Sequence, residues 1–209
     1  MNNHRGGEIR RAIVALGANL GDPRQQLCSA MAALRSRFEQ GFSASQVYRT
    51  APVDMSADAG EFANAVVRFD TPLAPQDLMA LLQSLEESSG RPKAHLRNTP
   101  RTLDLDLIAL GEVRMVTPEL TLPHPRAIDR RFVLIPLMEV APDYRFPGET
   151  LDLEALTDRA PERDVRLWDY IIIGLCSAQY GALSWPLYSL PVGWRGNFSE
   201  TSILRGHLT

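Results

Sequence analysis

Cysteine is scarce in this sequence, with only Cys28 and Cys176 among 209 residues. Two thiols make neither a disulfide framework nor a thiolate metal cluster, and they fit a reducing, cytoplasmic setting. A dominant charge of one sign is also missing. The formal net charge is −3, so no overall basic field marks a nucleic-acid or membrane-surface binder, and any anion site has to be local. Neither GxxxxGK[ST] nor GxGxxG occurs. Any nucleotide is therefore held without the glycine loops that cradle phosphates in those folds. The N-terminal "MNNHRGGEIRRAIVALG" has basic residues but only a short apolar run, which fits a first strand better than a signal peptide.

What is present suits a globular domain. At 44% hydrophobic and 22% charged residues, the chain can bury a core, and disorder throughout is excluded. Ile13–Leu16 reads as a buried strand. A helix is predicted from Arg24 to about Phe38, with Asp22 as N-cap and Pro23 at the first helical position. Ser43–Thr50 is a second strand, "APVDMSADAG" a loop, and the alternating Phe62–Thr71 a third strand. Leu78, Leu81, Leu82 and Leu85 recur at helical spacing, with Gly90 as a stop. "RPKAHLRNTP" is a polar loop, and "PRTLDLDLIALG" a fourth strand. "TPELTLPHPRAIDRR" is mostly irregular, and "FVLIPLMEVAPD" a short apolar helix or strand-helix segment. The order β–α–β–β–α–β is that of the ferredoxin-like split arrangement, an α+β sandwich with a mixed or antiparallel sheet and helices on one face.

The C-terminal part has a different character. Tyr170 to Trp194 contains no charged residue, long enough by count for a membrane span. Pro186, Pro191, Gln179, several serines and three glycines interrupt it, so no membrane association is expected. An apolar tail packed on its own chain or on a partner, a poorly ordered extension, and a sequence unrelated to the domain all remain open. The expected division is a domain over 10–165 and an extension over 166–209.

The fourth strand carries the chemistry. Asp104 and Asp106 alternate with Leu103, Leu105 and Leu107, so both acids point to one face, with Cα atoms about 6–7 Å apart. Like charges that close repel unless cations share the site. Mg²⁺ takes oxygen ligands and is typically held by one or two carboxylates plus substrate phosphates. Asp-x-Asp alone also fits two solvated acids on a sheet face. Arg91, Lys93, Arg97 and Arg101 precede the pair, and His124, Arg126, Arg130 and Arg131 follow it. Such cations suit a phosphate site, although arginines and acids neutralising one another on the surface would also produce them.

"PRTLDLDL", with "VALGANLGDP" upstream and "LPHPRAIDRRFVLIPLMEVAP" downstream, resembles the 6-hydroxymethyl-7,8-dihydropterin pyrophosphokinases of folate biosynthesis. The likeness runs from about Ile13 to about Phe146, with "VYRTAPV" and "FANAVV" in family order. It implies a ferredoxin-like fold and transfer of pyrophosphate from ATP to the pterin's hydroxymethyl oxygen, giving AMP. It implies two Mg²⁺ ions on Asp104 and Asp106. It implies a pterin site at Thr50, Val53, Phe62, Asn64 and Phe132, in which Asn64 reads the polar edge and the two phenylalanines sandwich the ring. Arg91, Lys93 and Arg101 are the implied phosphate cations of catalysis. Glu86, Arg91, Arg101, Leu107, His124 and Arg130 are implied nucleotide contacts, and Asn19 a loop-setting residue. Phe62 alone would also read as strand core, and His124 as a capped loop histidine.

Three departures stand out. Asn98 lies where some members have an aromatic residue, and Lys93 where arginine is common, which loses the bidentate fork. The region from roughly 169 to 209 has no family counterpart. The expected partners are two small molecules, ATP and the pterin. Nucleic acid is not expected, and a monomer is, with the tail as a possible route to association. A sugar-nucleotide transferase would need a sugar pocket and a Rossmann-like half, which do not show. A non-catalytic nucleotide-binding module is the alternative from another class.

Overall fold

The computed structural model describes residues 7–51, 60–90, 102–161 and 164–168, all within one compact unit, Met1–Ile172. Val53, Arg91, Lys93, Arg97, Asn98, Arg101 and the region 169–209 lie outside the described residues.

Strand β1 spans Arg10–Ala18 and leads into helix α1, Pro23–Arg37. The helix starts as its sequence requires. The Asp22 carboxylate accepts from the Gln25 N–H at 3.0 Å, and Pro23 occupies the first turn, where no N–H is missed. Two short strands follow, β2 (Ser43–Ala44) and β3 (Tyr48–Thr50), and then the long β4, Phe62–Thr71. Helix α2 (Pro75–Ser88) ends before Gly90, whose φ of +91° is the left-handed conformation of a helix stop. After β5 (Asp104–Leu110) come the small pair β6 (Met115–Val116) and β7 (Thr121–Leu122). Helix α3 (Arg131–Val140), helix α4 (Leu153–Arg159) and strand β8 (Val165–Leu167) complete the described chain.

The main sheet is antiparallel in every pairing, with order β5-β1-β4-β3-β8 and β2 beside β3 on β4. Alternation along β1 and β4 divides the core into two layers. Ala12, Val14 and Leu16 of β1, with Ala65, Val67 and Phe69 of β4, pack against Leu27 and Leu34 of α1 and Leu78 and Leu82 of α2. On the opposite face, Ile13 and Val66 pack against Val133, Leu134 and Leu137 of α3 and Leu153 and Leu156 of α4. The expectation of helices on one face is therefore corrected. The apolar "FVLIPLMEV" segment has a buried stripe of its own, and only the second sheet face is left to bury it.

The expected single strand Ser43–Thr50 is broken. Ala44 pairs with Val67, whereas Tyr48 pairs with Asn64, so the β2–β3 side carries one residue more than β4. This is a β-bulge. Buried Ser45 bridges it, donating its N–H to the Val66 carbonyl at 2.9 Å and accepting from the Val66 N–H on its hydroxyl at 3.0 Å. A second bulge lies in β5. Val14 pairs with Leu107 but Ile13 with Ala109, so Ile108 is the extra residue and turns into the α3 layer.

Candidate functional site

Among the described residues, helices α3 and α4 cover only part of the second sheet face. Under α3 it is floored by Ile13 and Val66. Towards the other end of β1, Gly17 pairs with Asn64 on one side and Asp104 on the other, while Ala15 pairs with Val66 and Asp106. The row continues outward, since Tyr48 of β3 pairs with Asn64 and Thr50 with Phe62. Strands β3, β4 and β5, with β1 between the last two, thus bring Thr50, Phe62, Asn64, Asp104 and Asp106 onto one face, as strand parity requires.

Asn64 and Thr50 are buried, and the Asn64 amide donates to the Thr50 hydroxyl at 3.0 Å and to the Phe62 carbonyl at 3.4 Å. Those bonds fix the amide plane, and its oxygen lies on the Gly17 side. Phe62 is half-buried beside it.

The two acids stand across the row. Asp106 lies 3.6 Å from the Arg130 guanidinium, the two side chains being 38% and 25% exposed, so neither charge is fully desolvated. Arg130 is also the residue that precedes α3, and its guanidinium lies over the Phe132 ring, 5.6 Å from the centroid. Phe132 itself is half-buried against the α3 layer. His124 donates its backbone N–H to the Ile108 carbonyl at 2.9 Å, which seats it beside β5, and its Nδ1 accepts from the Arg126 N–H at 3.3 Å. Burial lowers its pKa below the usual 6.5, against the opposing pull of Asp106, so the ring is neutral at pH 7.

The structure separates two expected nucleotide contacts from the others. Leu107 is 2% exposed in the α1–α2 core, which leaves only its backbone for a ligand. Glu86 is buried, and its carboxylate accepts from the Leu105 N–H at 2.7 Å. It thereby grips the edge strand midway between Asp104 and Asp106. Asn19 is buried just beyond the end of β1.

No group of three or more His, Cys, Asp or Glu residues forms a metal cage among the described residues. Two carboxylates on one face, with a guanidinium already against one of them, are the donor set of an ion that keeps waters and takes its remaining ligands from phosphate. Mg²⁺ fits that set. A cavity of about 550 Å³ lies elsewhere, between Ile13, Arg68 and Ala109 of the sheet and the 141–149 segment. It holds none of the residues that the motifs single out.

Sequence reasoning missed Gly17. Its φ is not left-handed, and a Cβ there would meet nothing nearer than 3.9 Å, at Asn64 Oδ1 and Asp104 Cβ. Neither backbone conformation nor packing demands glycine. A glycine inside a strand under no such demand marks a place where something else approaches closely. The signal was "VALGAN", a glycine interrupting a strand pattern.

Residues 13–142 match the family model for 7,8-dihydro-6-hydroxymethylpterin-pyrophosphokinase. The chain belongs to this family. The pyrophosphokinase likeness extends to two relatives over most of their length. The 2-amino-4-hydroxy-6-hydroxymethyldihydropteridine pyrophosphokinase of Pseudomonas aeruginosa is 44% identical over 140 residues, 66% of this chain and 85% of the relative. The Bacillus subtilis protein of the same name is 34% identical over 158 residues, 75% and 89% of the two chains. A crystal structure of a Plasmodium falciparum HPPK-DHPS triple mutant with pteroate superposes with a TM-score of 0.56 at 14% identity, over 75% of this chain and 44% of that one. At that identity the likeness speaks for the fold alone.

Proposed function

We infer that this chain transfers pyrophosphate from ATP to the hydroxymethyl oxygen of 6-hydroxymethyl-7,8-dihydropterin and releases AMP, a step in folate synthesis. The row from Thr50 and Asn64 across Gly17 to Asp104 and Asp106 carries this reading. It sets a hydrogen-bonding amide, suited to a flat heterocycle's polar edge, beside an acid pair suited to metal-bound phosphates. The antiparallel order β5-β1-β4-β3 supports the ferredoxin-like assignment.

Asp104 and Asp106 would hold Mg²⁺, two ions on the family resemblance, which neutralises and orients the phosphate chain when bound. Asn64, held by Thr50, orients the pterin, and Phe62 and Phe132 supply the stacking faces. Arg91, Lys93 and Arg101 are assigned to the phosphates. Arg130, which contacts Asp106, and the neutral His124 are assigned to the nucleotide as well. Leu107 meets the nucleotide through its backbone, and Glu86 serves it by holding β5; Val53 completes the pterin pocket. The hydroxymethyl oxygen bonds to the β-phosphorus, the bond between that phosphorus and the α–β bridging oxygen breaks, and AMP carries the oxygen away. The hydroxyl proton passes to water. No side chain acts as covalent nucleophile, so the rate comes from positioning and charge.

The test is AMP release from ATP, Mg²⁺ and the hydroxymethyl dihydropterin. The wild-type chain is expected to release AMP in step with the pterin, and Asp106→Ala to lose nearly all turnover while melting near the wild-type temperature. No AMP above background from the wild type would favour the non-catalytic module. Near-wild-type turnover by Asp106→Ala would remove the metal assignment.

A further inference from the structure

Helix α3 is held at both ends by polar contacts to different strands. At its N-terminal end, Arg130 reaches Asp106 of β5 at 3.6 Å. At its C-terminal end, both carboxylate oxygens of Glu139 are used. Oε2 accepts from the Gln46 N–H at 2.8 Å, and Oε1 accepts from the Tyr48 hydroxyl. The Gln46 N–H is open to this bond because Gln46 sits in the bulge between β2 and β3, where the ladder to β4 is interrupted. Tyr48 is the cross-strand partner of Asn64 and lies two residues from Thr50.

The rest of the α3 contact is apolar, through Val133, Leu134 and Leu137 on Ile13, Val66 and Ile108. Such packing is non-directional and tolerates small slides and rotations. A fork of two hydrogen bonds on one carboxylate does not. Asp106 would also be a ligand of the Mg²⁺, and its charge would then be shared between that ion and Arg130. The Glu139 fork is untouched by that event. It ties the helix bearing Phe132 to the strand whose Thr50 holds Asn64.

We propose that Glu139, through Tyr48 and the Gln46 N–H, is a positioning residue for the pterin: it fixes Phe132 against the Asn64–Thr50 pair. The inference rests on the pyrophosphokinase reading above and goes beyond it in naming a residue that touches neither substrate. Glu139 is exposed and lies outside the row of site residues, so its loss should leave the core intact.

The experiment measures steady-state kinetics for both substrates, with melting temperatures, on full-length wild type, Glu139→Ala, Glu139→Gln, Tyr48→Phe and the Glu139→Ala/Tyr48→Phe pair. Glu139→Ala is expected to raise the pterin KM roughly tenfold, with ATP KM within about twofold, because a small misplacement of a stacking ring is costly. Glu139→Gln keeps an acceptor oxygen and should recover most of the loss. Tyr48→Phe should show part of the same defect, and the double variant less than the product of the two single effects. An unchanged pterin KM in Glu139→Ala overturns the proposal, as does an equal loss for both substrates that follows the melting temperature. If Glu139→Ala does not fold, Tyr48→Phe decides, because it removes one hydroxyl and keeps the ring. A wild type without activity overturns the pyrophosphokinase reading itself; an active wild type with a wild-type-like Glu139→Ala overturns only the proposal.

Discussion

At the scale of single residues, β1 carries a taper. On the face that bears the site, its side chains shrink from Ile13 under α3, through Ala15 beside Asp106, to Gly17 between Asn64 and Asp104. A bare strand floor costs about 0.5–1 kcal/mol in chain entropy relative to alanine. Since a Cβ at 17 would only reach ordinary contact distance, Gly17→Ala is expected to leave the melting temperature unchanged or raise it. The same change should weaken pterin binding, and Gly17→Val should weaken it further. Calorimetric titration with the pterin, beside a thermal melt, checks both halves. A variant that is less stable yet binds normally would make Gly17 a packing residue. Tyr48 illustrates a different residue-scale effect. Its hydroxyl is pushed well above the usual 10 by burial, then by its hydrogen bond to Glu139 and that carboxylate's charge, so it stays protonated as the donor throughout the working pH range.

At the scale of elements, the sequence carried the regular pieces well. Asp22–Pro23, the Leu78–Leu85 spacing, Gly90 and the Leu/Asp alternation all have local causes, and each gives an element close to where it was expected. The bulges were not legible, because they depend on the register of the partner strand. Nothing within "SASQVYRT" marks Ser45 as the break, and nothing within "DLDLIAL" marks Ile108. The packing of α3 on the second face was missed for a related reason. "FVLIPLMEV" shows that α3 buries a stripe but not which sheet face receives it. Within the candidate site, the shared face of Asp104 and Asp106 was legible from parity and Asn64 entered through the family resemblance, whereas Gly17 and Glu139 stand out only through the neighbours that the fold gives them. Ser45 offers a test at this scale. Ser45→Ala leaves the Val66 N–H without its hydroxyl partner in a buried place, and should cost about 1–3 kcal/mol. Denaturant unfolding measures the loss, and no change in midpoint would show that the bulge holds without the hydroxyl.

At the scale of the whole molecule, two apolar layers sandwich the sheet, and each is anchored by large buried side chains. Phe69 stacks on Phe38 at 4.3 Å between ring centroids in one layer, and Leu134 is fully buried in the other. Leu134→Ala should cost about 2–5 kcal/mol, read as a fall in melting temperature, with an accompanying loss of pterin affinity because α3 carries Phe132. The boundary expected at 165 falls inside β8, whose Val165–Leu167 pair with β3 and whose neighbour Trp168 donates its N–H to the Val47 carbonyl at 2.8 Å. β8 also decides what the protein presents to other copies of itself. Without it, β3 would be the sheet's outer strand, with a row of unpaired amides and carbonyls open to a strand from another chain. At the opposite side, β5 meets the same hazard by giving the Leu105 N–H to Glu86. Arg166→Pro in the full chain removes a donor from β8 and should bring concentration-dependent aggregation, visible in light scattering, before it brings unfolding. The three residues of β8 thus contribute little to the core but end the sheet in a strand too short to be a good template.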